Sequence, residues 1–306
     1  MNRCALSMTG PPLRLILGLM LTSLLTPSLA LAQHPLGPVE RRDLELLLTL
    51  PGEEVVVRYT PGSLDRAARL QARLVDMHLQ IQRWSKVRAP FVVYVLSPEE
   101  WNGQGLFRPY GFPVRTASMT VAVPGWGSEE SVALWRGITG TNMPGAGGDF
   151  AVRGTAQELA TLTLSDGFAQ LEFCRMFVER HRMAGGTAGV WLNEILAHLL
   201  LLSTTQASSL PPAVDLTAVL QESARRQTAE VTAKPYWSEM ELDAWLYHHA
   251  HFARAAEAMW ERSGKGAFKA LWKMRKKNGA PLTLGMIAEE YPFLRDWRMP
   301  LAAPGR

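Results

Sequence analysis

The chain has 306 residues, of which 47% are hydrophobic and 20% charged. This composition is that of a globular protein, and it excludes a disordered chain, a collagen-like repeat and a membrane protein with several spans. The 32 basic and 28 acidic residues nearly cancel, giving a net charge of +4. Nucleic acid is therefore not expected as a partner, because binding it requires a strongly basic surface.

The first 32 residues have the order of a secretory signal peptide. Arg3 and Arg14 give a positive start, and a mostly apolar run follows from Leu15 to Leu25. Ala30 and Ala32 then supply the small residues of a cleavage site. We expect cleavage after Ala32 and a secreted or periplasmic protein without a stable membrane span. An uncleaved membrane anchor is the alternative, because the same stretch carries no charge after Arg14.

Removal of this segment would leave a single cysteine in the mature chain. Cys4 would be lost, so Cys174 would be free or paired with another molecule. The mature charge would fall to +2. We therefore expect an extracytoplasmic protein whose fold does not depend on an internal disulfide.

Residues 33–154 predict a subdomain of alternating strands and helices. The runs Val55–Tyr59 and Phe91–Leu96 are rich in β-branched and aromatic residues, which is typical of strands. Between them, an apolar stripe at helical spacing predicts a long helix from Ser63 to about Lys86. A short helix is expected after Ser97, where proline follows a good N-cap residue.

The segment from Thr116 to Val123 alternates between polar or small and apolar residues. It predicts one half-exposed strand, with Thr116, Ser118 and Thr120 on its polar face.

Residues 155–306 predict a mainly helical subdomain. Helices are expected over 155–182, with an interruption possible at Asp166-Gly167, and over 188–203, 213–229, 238–262, 265–277 and 283–290. The predicted fold class is thus α+β: a small mixed β-sheet with helices, followed by a mainly helical subdomain.

Two adjacent helical segments carry charged residues among apolar ones. Glu172 and Arg175 lie three apart in the first segment, and Glu194 lies in the second. A charge inside a buried helix costs several kcal/mol unless it has a partner. The three side chains are therefore expected to neutralise one another, with the Arg175 guanidinium bridging both carboxylates.

The second segment, Trp191-Leu192-Asn193-Glu194-Ile195-Leu196-Ala197, resembles the W-L-x-E-G-x-A helix of gluzincin metallopeptidases, the thermolysin-like or peptidase MA-like group. In that family the glutamate is the third zinc ligand, and eighteen residues separate it from an H-E-x-x-H motif. The pentad at that spacing here is Leu171-Glu172-Phe173-Cys174-Arg175. Both glutamates match the family pattern, whereas both histidines are replaced.

Weaker similarity to the family extends over most of the mature chain. It is carried by Tyr59–Gly62, by Tyr110–Pro113 and by the stretch from Tyr247 to Gly264. The resemblance implies a gluzincin-like fold with a peptide-binding cleft beside an edge strand. By this resemblance, the strand predicted over Thr116–Val123 is the candidate element for pairing with an extended peptide, through Thr116, Ser118 and Thr120.

The resemblance also assigns roles to the matching residues. Glu172 would hold the position of the general base, and Glu194 that of the third zinc ligand. Leu171 and Arg175 stand where the two histidine ligands belong, and neither can bind zinc. The sequence therefore predicts a degenerate member of the family without a competent zinc site, in which Arg175 replaces the metal electrostatically.

Other ligands could rebuild a metal site. His198 lies four residues after Glu194, and His181 lies six residues after Arg175, so these two with Glu194 form an alternative set. His248, His249 and His251 are interpreted as residues on the polar face of a helix rather than as metal ligands.

Three readings of the function remain. The first is an exported pseudopeptidase that binds a peptide or protein partner in the old cleft. The second is a working hydrolase, either an active zinc metallopeptidase with relocated ligands or an enzyme with metal-free chemistry. The third is a purely structural extracytoplasmic interaction protein.

Overall fold

The structure is a computed structural model, and it describes residues 46–88, 90–106, 111–117, 119–126, 164–186, 189–208, 210, 216–217, 219–221 and 242–297. These residues all belong to one compact unit. The expected signal peptide and the boundary between residues 154 and 155 lie outside the described residues, so both stay predictions. Within the described ranges, no helix combines the length and the apolar character needed to cross a bilayer.

The described part of the chain is mixed α/β, with one five-stranded sheet. The strands are β1 (Leu48–Leu50), β2 (Val55–Tyr59), β3 (Phe91–Leu96), β4 (Val114–Ala117) and β5 (Thr120–Pro124). The helices are α1 (Leu64–Ser85), α2 (Pro98–Gly103), α3 (Asp166–Arg180), α4 (Gly189–Thr205), α5 (Leu242–Ser263), α6 (Ala267–Asn278) and α7 (Leu284–Glu290). Short 3₁₀ turns follow α5 at Gly264–Gly266 and α7 at Pro292–Leu294.

The sheet is mixed, as the sequence predicts. Its strand order is β1-β2-β3-β5-β4, with β2, β3 and β5 parallel. The outer strands β1 and β4 run antiparallel to their neighbours. Helix α1 connects β2 to β3, because parallel neighbours need a crossover rather than a tight turn.

One face of the sheet packs against the helices. The apolar stripe of α1 is fully buried, from Ala67 through Leu70 and Leu74 to Ile81. Its side chains join those of the sheet, α3, α4 and α5 in one continuous hydrophobic core. A second, smaller cluster forms around Trp101 of α2 and covers the opposite face of the sheet.

The predicted strand from Thr116 to Val123 is wrong. The chain reverses after Ala117, and Ala117 pairs with Thr120, so the segment forms two antiparallel strands. Thr116 lies in the edge strand β4, Thr120 lies in the interior strand β5, and Ser118 lies outside the described residues. An alternating pattern cannot reveal such a tight reversal, because the alternation of apolar and polar residues continues through it.

The interior position of β5 also explains its burial. Val121 and Val123 enter the main core, whereas Ala122 enters the smaller cluster on the other face. A strand that is covered on both faces has no exposed polar side. The half-exposed character predicted for this segment is therefore wrong for β5.

The helical predictions agree with the described residues. The ends of helices α4 to α7 lie at most four residues from the predicted ends. Helix α3 ends at Arg180, two residues before the predicted end, and residues 155–163 of this prediction lie outside the described residues. Of the helix predicted over 213–229, residues 216, 217 and 219–221 are described and are helical.

A buried ion pair fixes the start of α3 against α1. The Asp166 carboxylate contacts the guanidinium of Arg66 and lies 3.3 Å from Nη1 of Arg73. The Arg66 guanidinium also donates to the carbonyl of Pro124 at the end of β5. These contacts hold α3, α1 and the sheet together, which positions the residues farther along α3.

Candidate functional site

The candidate site lies where α3, α4 and α5 pack together. Helix α3 is buried along nearly its whole length, and α4 is apolar on most of its faces. Glu172 and Arg175 project from α3, and Glu194 projects from α4. All three are almost completely buried, with exposures of 3%, 6% and 3%. The structure therefore brings together the three charged residues that the sequence singled out.

The Arg175 guanidinium contacts both carboxylates. Its Nη1 donates to Oε1 of Glu172 at 2.6 Å, and its Nε donates to Oε2 of Glu194 at 3.0 Å. These are the two ion pairs expected from the sequence. The pair with Glu172 lies within α3, whereas the pair with Glu194 connects α3 to α4 through a charge-assisted hydrogen bond.

A histidine from α5 completes the contacts of this guanidinium. Nη2 of Arg175 lies 3.1 Å from Nε2 of His249, and Nδ1 of His249 lies 3.0 Å from Nε2 of His198. A guanidinium has only donors, so Nε2 of His249 must accept. His249 then carries its proton on Nδ1 and donates it to His198. Both rings are therefore neutral in this arrangement.

The pKa values follow from burial and from these contacts. Burial lowers the pKa of Arg175, but Glu172, Glu194 and Glu179 together raise it by more, so the guanidinium stays protonated. Burial raises the pKa of Glu194, and Arg175 opposes this effect. Burial and the charge of Arg175 lower the pKa of His198 to about 3. The site thus holds a permanent cation, two carboxylates and neutral imidazoles.

Sequence reasoning missed His249 of this network, and it also misjudged the neighbouring His248. His248 and His249 were predicted on a polar helix face, and this is wrong, because they are 0% and 1% exposed. The signal lay in the neighbours of His249, since Trp245 and Phe252 lie four residues before and three after it. Apolar residues at that spacing share a helical face with the histidine and indicate burial.

The residues at this site do not fit a zinc ion. A catalytic zinc needs three protein ligands with free lone pairs. Leu171 offers none, and Arg175 offers a positive charge that already contacts Glu172, Glu194 and His249. The donor set required by the family mechanism is therefore not present at these positions.

The alternative ligand set is not assembled either. His181 packs against Phe177 and Trp272, at ring centroid distances of 4.6 and 5.3 Å. His198 points to His249 instead. In the ranges that the structure describes, no three His, Cys, Asp or Glu residues are grouped so that they could hold a metal ion.

Cys174, in the middle of α3, is an unreactive thiol in this setting. It is 0% exposed, and burial raises its pKa far above the usual range of a thiol. A buried thiol of high pKa is a poor nucleophile. Its position thus favours a packing role.

Edge strand β4 lies next to the helix that carries the site. Arg115 of β4 forms an ion pair with Glu179, one turn after Arg175 on α3. Among the described strands β4 ends the sheet, so only one of its edges is paired. Thr116 lies on this strand, whereas Thr120 lies one strand farther in.

The comparisons with known proteins add no neighbour to this description. Neither the family models, nor the curated proteins, nor the solved structures include a match to this chain.

Proposed function

We propose that this protein is an exported pseudopeptidase of the gluzincin type, which binds a peptide or protein partner beside its edge strand. The observation that carries the proposal is the position of Arg175. It contacts the two glutamates that match the family's general base and third zinc ligand, with hydrogen bonds of 2.6 and 3.0 Å. A cation bound between these carboxylates takes the place that the family gives to zinc.

The charge arrangement supports a structural role for Arg175 at the position that zinc has in the family. In the family, a metal joins the motif helix to the next helix. Here the guanidinium joins the same two helices, and His249 adds α5 to the connection. Arg is suited to this role because its planar fork can serve several acceptors and keeps its charge when buried.

The binding element of the proposal is strand β4, Val114–Ala117. An extended peptide binds a sheet by adding a strand to its free edge. β4 has such an edge among the described strands, and its Arg115 is tied to α3 through Glu179. Thr116 belongs to this strand, whereas Thr120 is paired on both sides through β3 and β4 and is not part of the binding element.

The first experiment measures metal content. The protein is purified without a polyhistidine tag or chelator, offered zinc, and compared with the double variant Leu171→His/Arg175→His. We expect no tightly bound zinc in the wild type and about one per chain in the variant. The matched control adds Glu194→Gln, which removes the third ligand and should abolish binding.

The outcomes separate the two parts of the proposal. One tight zinc per wild-type chain, together with peptidase activity, would show that the protein is not a pseudopeptidase. A folded double variant that binds no zinc would show that the helices do not have gluzincin geometry. Amino-terminal sequencing of the exported protein tests cleavage after Ala32 in the same preparation.

A second experiment tests peptide binding. Decapeptides selected from a random phage-displayed library are measured by fluorescence anisotropy, and each is compared with a copy that is N-methylated at alternate backbone amides. Strand addition requires those amides, so methylation should weaken binding at least tenfold. Equal binding of the methylated copies would contradict the assignment of β4, and failure to select any peptide would contradict peptide binding.

A further inference from the structure

A second site lies away from the Arg175 network, at the junction of α1, α4 and the start of α6. It is an open cleft of about 190 Å³. Three cationic residues line it: Arg83 from the last turn of α1, Lys265 from the 3₁₀ turn, and Lys269 from α6. None of the described residues that line the cleft carries a carboxylate. Its charge therefore favours an anion.

The three cations are available to a ligand. Each is exposed, and none forms an ion pair with another described residue. Like charges around one concave surface raise the local concentration of counter-ions. A bound anion would relieve their mutual repulsion.

The apolar wall of the cleft is built from aromatic rings. Trp84 is half-buried, and its ring packs against Phe268 at 5.6 Å, Trp272 at 5.7 Å and Phe177 at 6.1 Å. These contacts fix the indole before any ligand arrives. A rigid aromatic surface beside cations suits a ligand that has an apolar body as well as a charge.

The hydroxyl groups that line the cleft are not available to bind an anion. Ser203 Oγ donates to the carbonyl of Leu199 at 2.8 Å, and Thr204 Oγ1 donates to that of Leu200 at 2.9 Å. Because both hydrogens are used within α4, the hydroxyls are not donors to an anion. Recognition of charge therefore falls to the arginine and the two lysines.

We infer that this cleft binds a small organic anion, a carboxylate or phosphate monoester on an aromatic or short aliphatic body. The size follows from the volume, since an apolar cavity of about 150 Å³ holds one benzene molecule. This site is separate from the peptide-binding proposal and does not depend on it.

The test is calorimetric titration of the full-length protein with phenyl phosphate. We expect saturable binding with a Kd of about 1 mM or tighter, the range that roughly ten non-hydrogen atoms supply. Inorganic phosphate lacks the aromatic body, and benzyl alcohol lacks the charge. Each should bind at least tenfold more weakly. Equal binding of benzyl alcohol, or no saturable heat with phenyl phosphate, would overturn the inference.

A matched pair of variants locates the site. Lys265→Gln/Lys269→Gln removes two cations that line the cleft, and Lys273→Gln/Lys277→Gln removes two exposed cations of α6 that do not line it. The first variant should bind phenyl phosphate at least tenfold more weakly and the second within twofold of wild type. All four positions are exposed, so both variants should fold. An equal loss in the two would assign binding to the general basic face of α6 and contradict a cleft site.

Discussion

Replacing Arg175 with methionine removes the one cation between two buried carboxylates. The side chains of Glu172 and Glu194 are each 4% exposed, so water cannot take over the hydrogen bonds that the guanidinium supplies. Breaking a buried ion pair in this way costs about 3–5 kcal/mol of unfolding free energy. For a chain of this size, the melting temperature should fall by roughly 6–20 °C. Urea unfolding followed by circular dichroism measures the change directly.

A control arginine separates this effect from a general loss of packing. Arg73 is also on a helix and contacts Asp166, but Arg66 contacts the same carboxylate. Because Arg73→Met leaves Asp166 paired, it should cost less than about 1 kcal/mol. A loss in Arg175→Met as small as that of the control would refute the bridge.

Removing the carboxylates together with the cation should restore stability. In the triple variant Glu172→Gln/Arg175→Met/Glu194→Gln, no buried charge is left without a partner. It should recover most of the loss seen in the single variant. A triple variant as unstable as Arg175→Met would mean that the loss arises from shape and not from charge.

The loss in Arg175→Met should also depend on pH. Burial already raises the pKa of Glu194, and without Arg175 nothing opposes that rise. A carboxyl whose folded pKa lies above its unfolded value of about 4.3 costs stability as the pH rises through the folded value. The difference from wild type should therefore be larger at pH 8 than at pH 5. An equal difference at both values would contradict buried ionised carboxylates.

Three further predictions follow from individual side chains. Cys174 should not react with Ellman's reagent in the native protein at pH 8, because it is fully buried and its pKa is raised. It should react fully in urea. Rapid labelling of the native protein would contradict its burial. Because the pKa of His198 is lowered to about 3, the unfolded chain binds a proton there below pH 6.5 and the native protein does not. Stability should fall as the pH drops from 6.5 toward 4, by up to about 1.4 kcal/mol per pH unit from this residue, and His198→Phe should show a shallower slope in urea titrations. Ser97→Ala should cost about 1 kcal/mol of unfolding free energy, since Ser97 and Glu100 form a capping box on α2. Ser63→Ala should cost almost nothing, since the Ser63 side chain makes no capping hydrogen bond. Equal melting temperatures for the two variants would contradict the capping role of Ser97.

Part of the candidate site could be predicted from the sequence, because a buried charged side chain needs a partner of opposite charge. Glu172 and Arg175 are three apart on one helix, and the surrounding residues are apolar, so a partner within the core was necessary. Glu194 followed from its place in a second apolar helix. His249 could not be paired with Arg175 in this way, because nothing in the spacing along the chain shows which helix packs against α3.

The segment that contains the edge strand shows the same limit of prediction from sequence. Alternation from Thr116 to Val123 fits one strand as well as it fits two strands joined by a tight reversal. Only pairing decides between them, and the pairing of Ala117 with Thr120 places Thr116 at the edge and Thr120 inside the sheet. The candidate binding element is therefore β4 alone.

The sequence by itself determined most of the helices, the strands β2 and β3, and the need for a buried charge partner. These features depend on a few neighbouring residues: helical and strand periodicity, capping residues and the cost of an isolated charge. They can therefore be inferred from the order of residues along the chain. The tertiary structure alone decided that α5 brings His249 to Arg175, and that Lys265 and Lys269 lie across a cleft from Arg83. These contacts join residues far apart in the chain, and they depend on how the helices pack, which the order of residues along one helix does not specify.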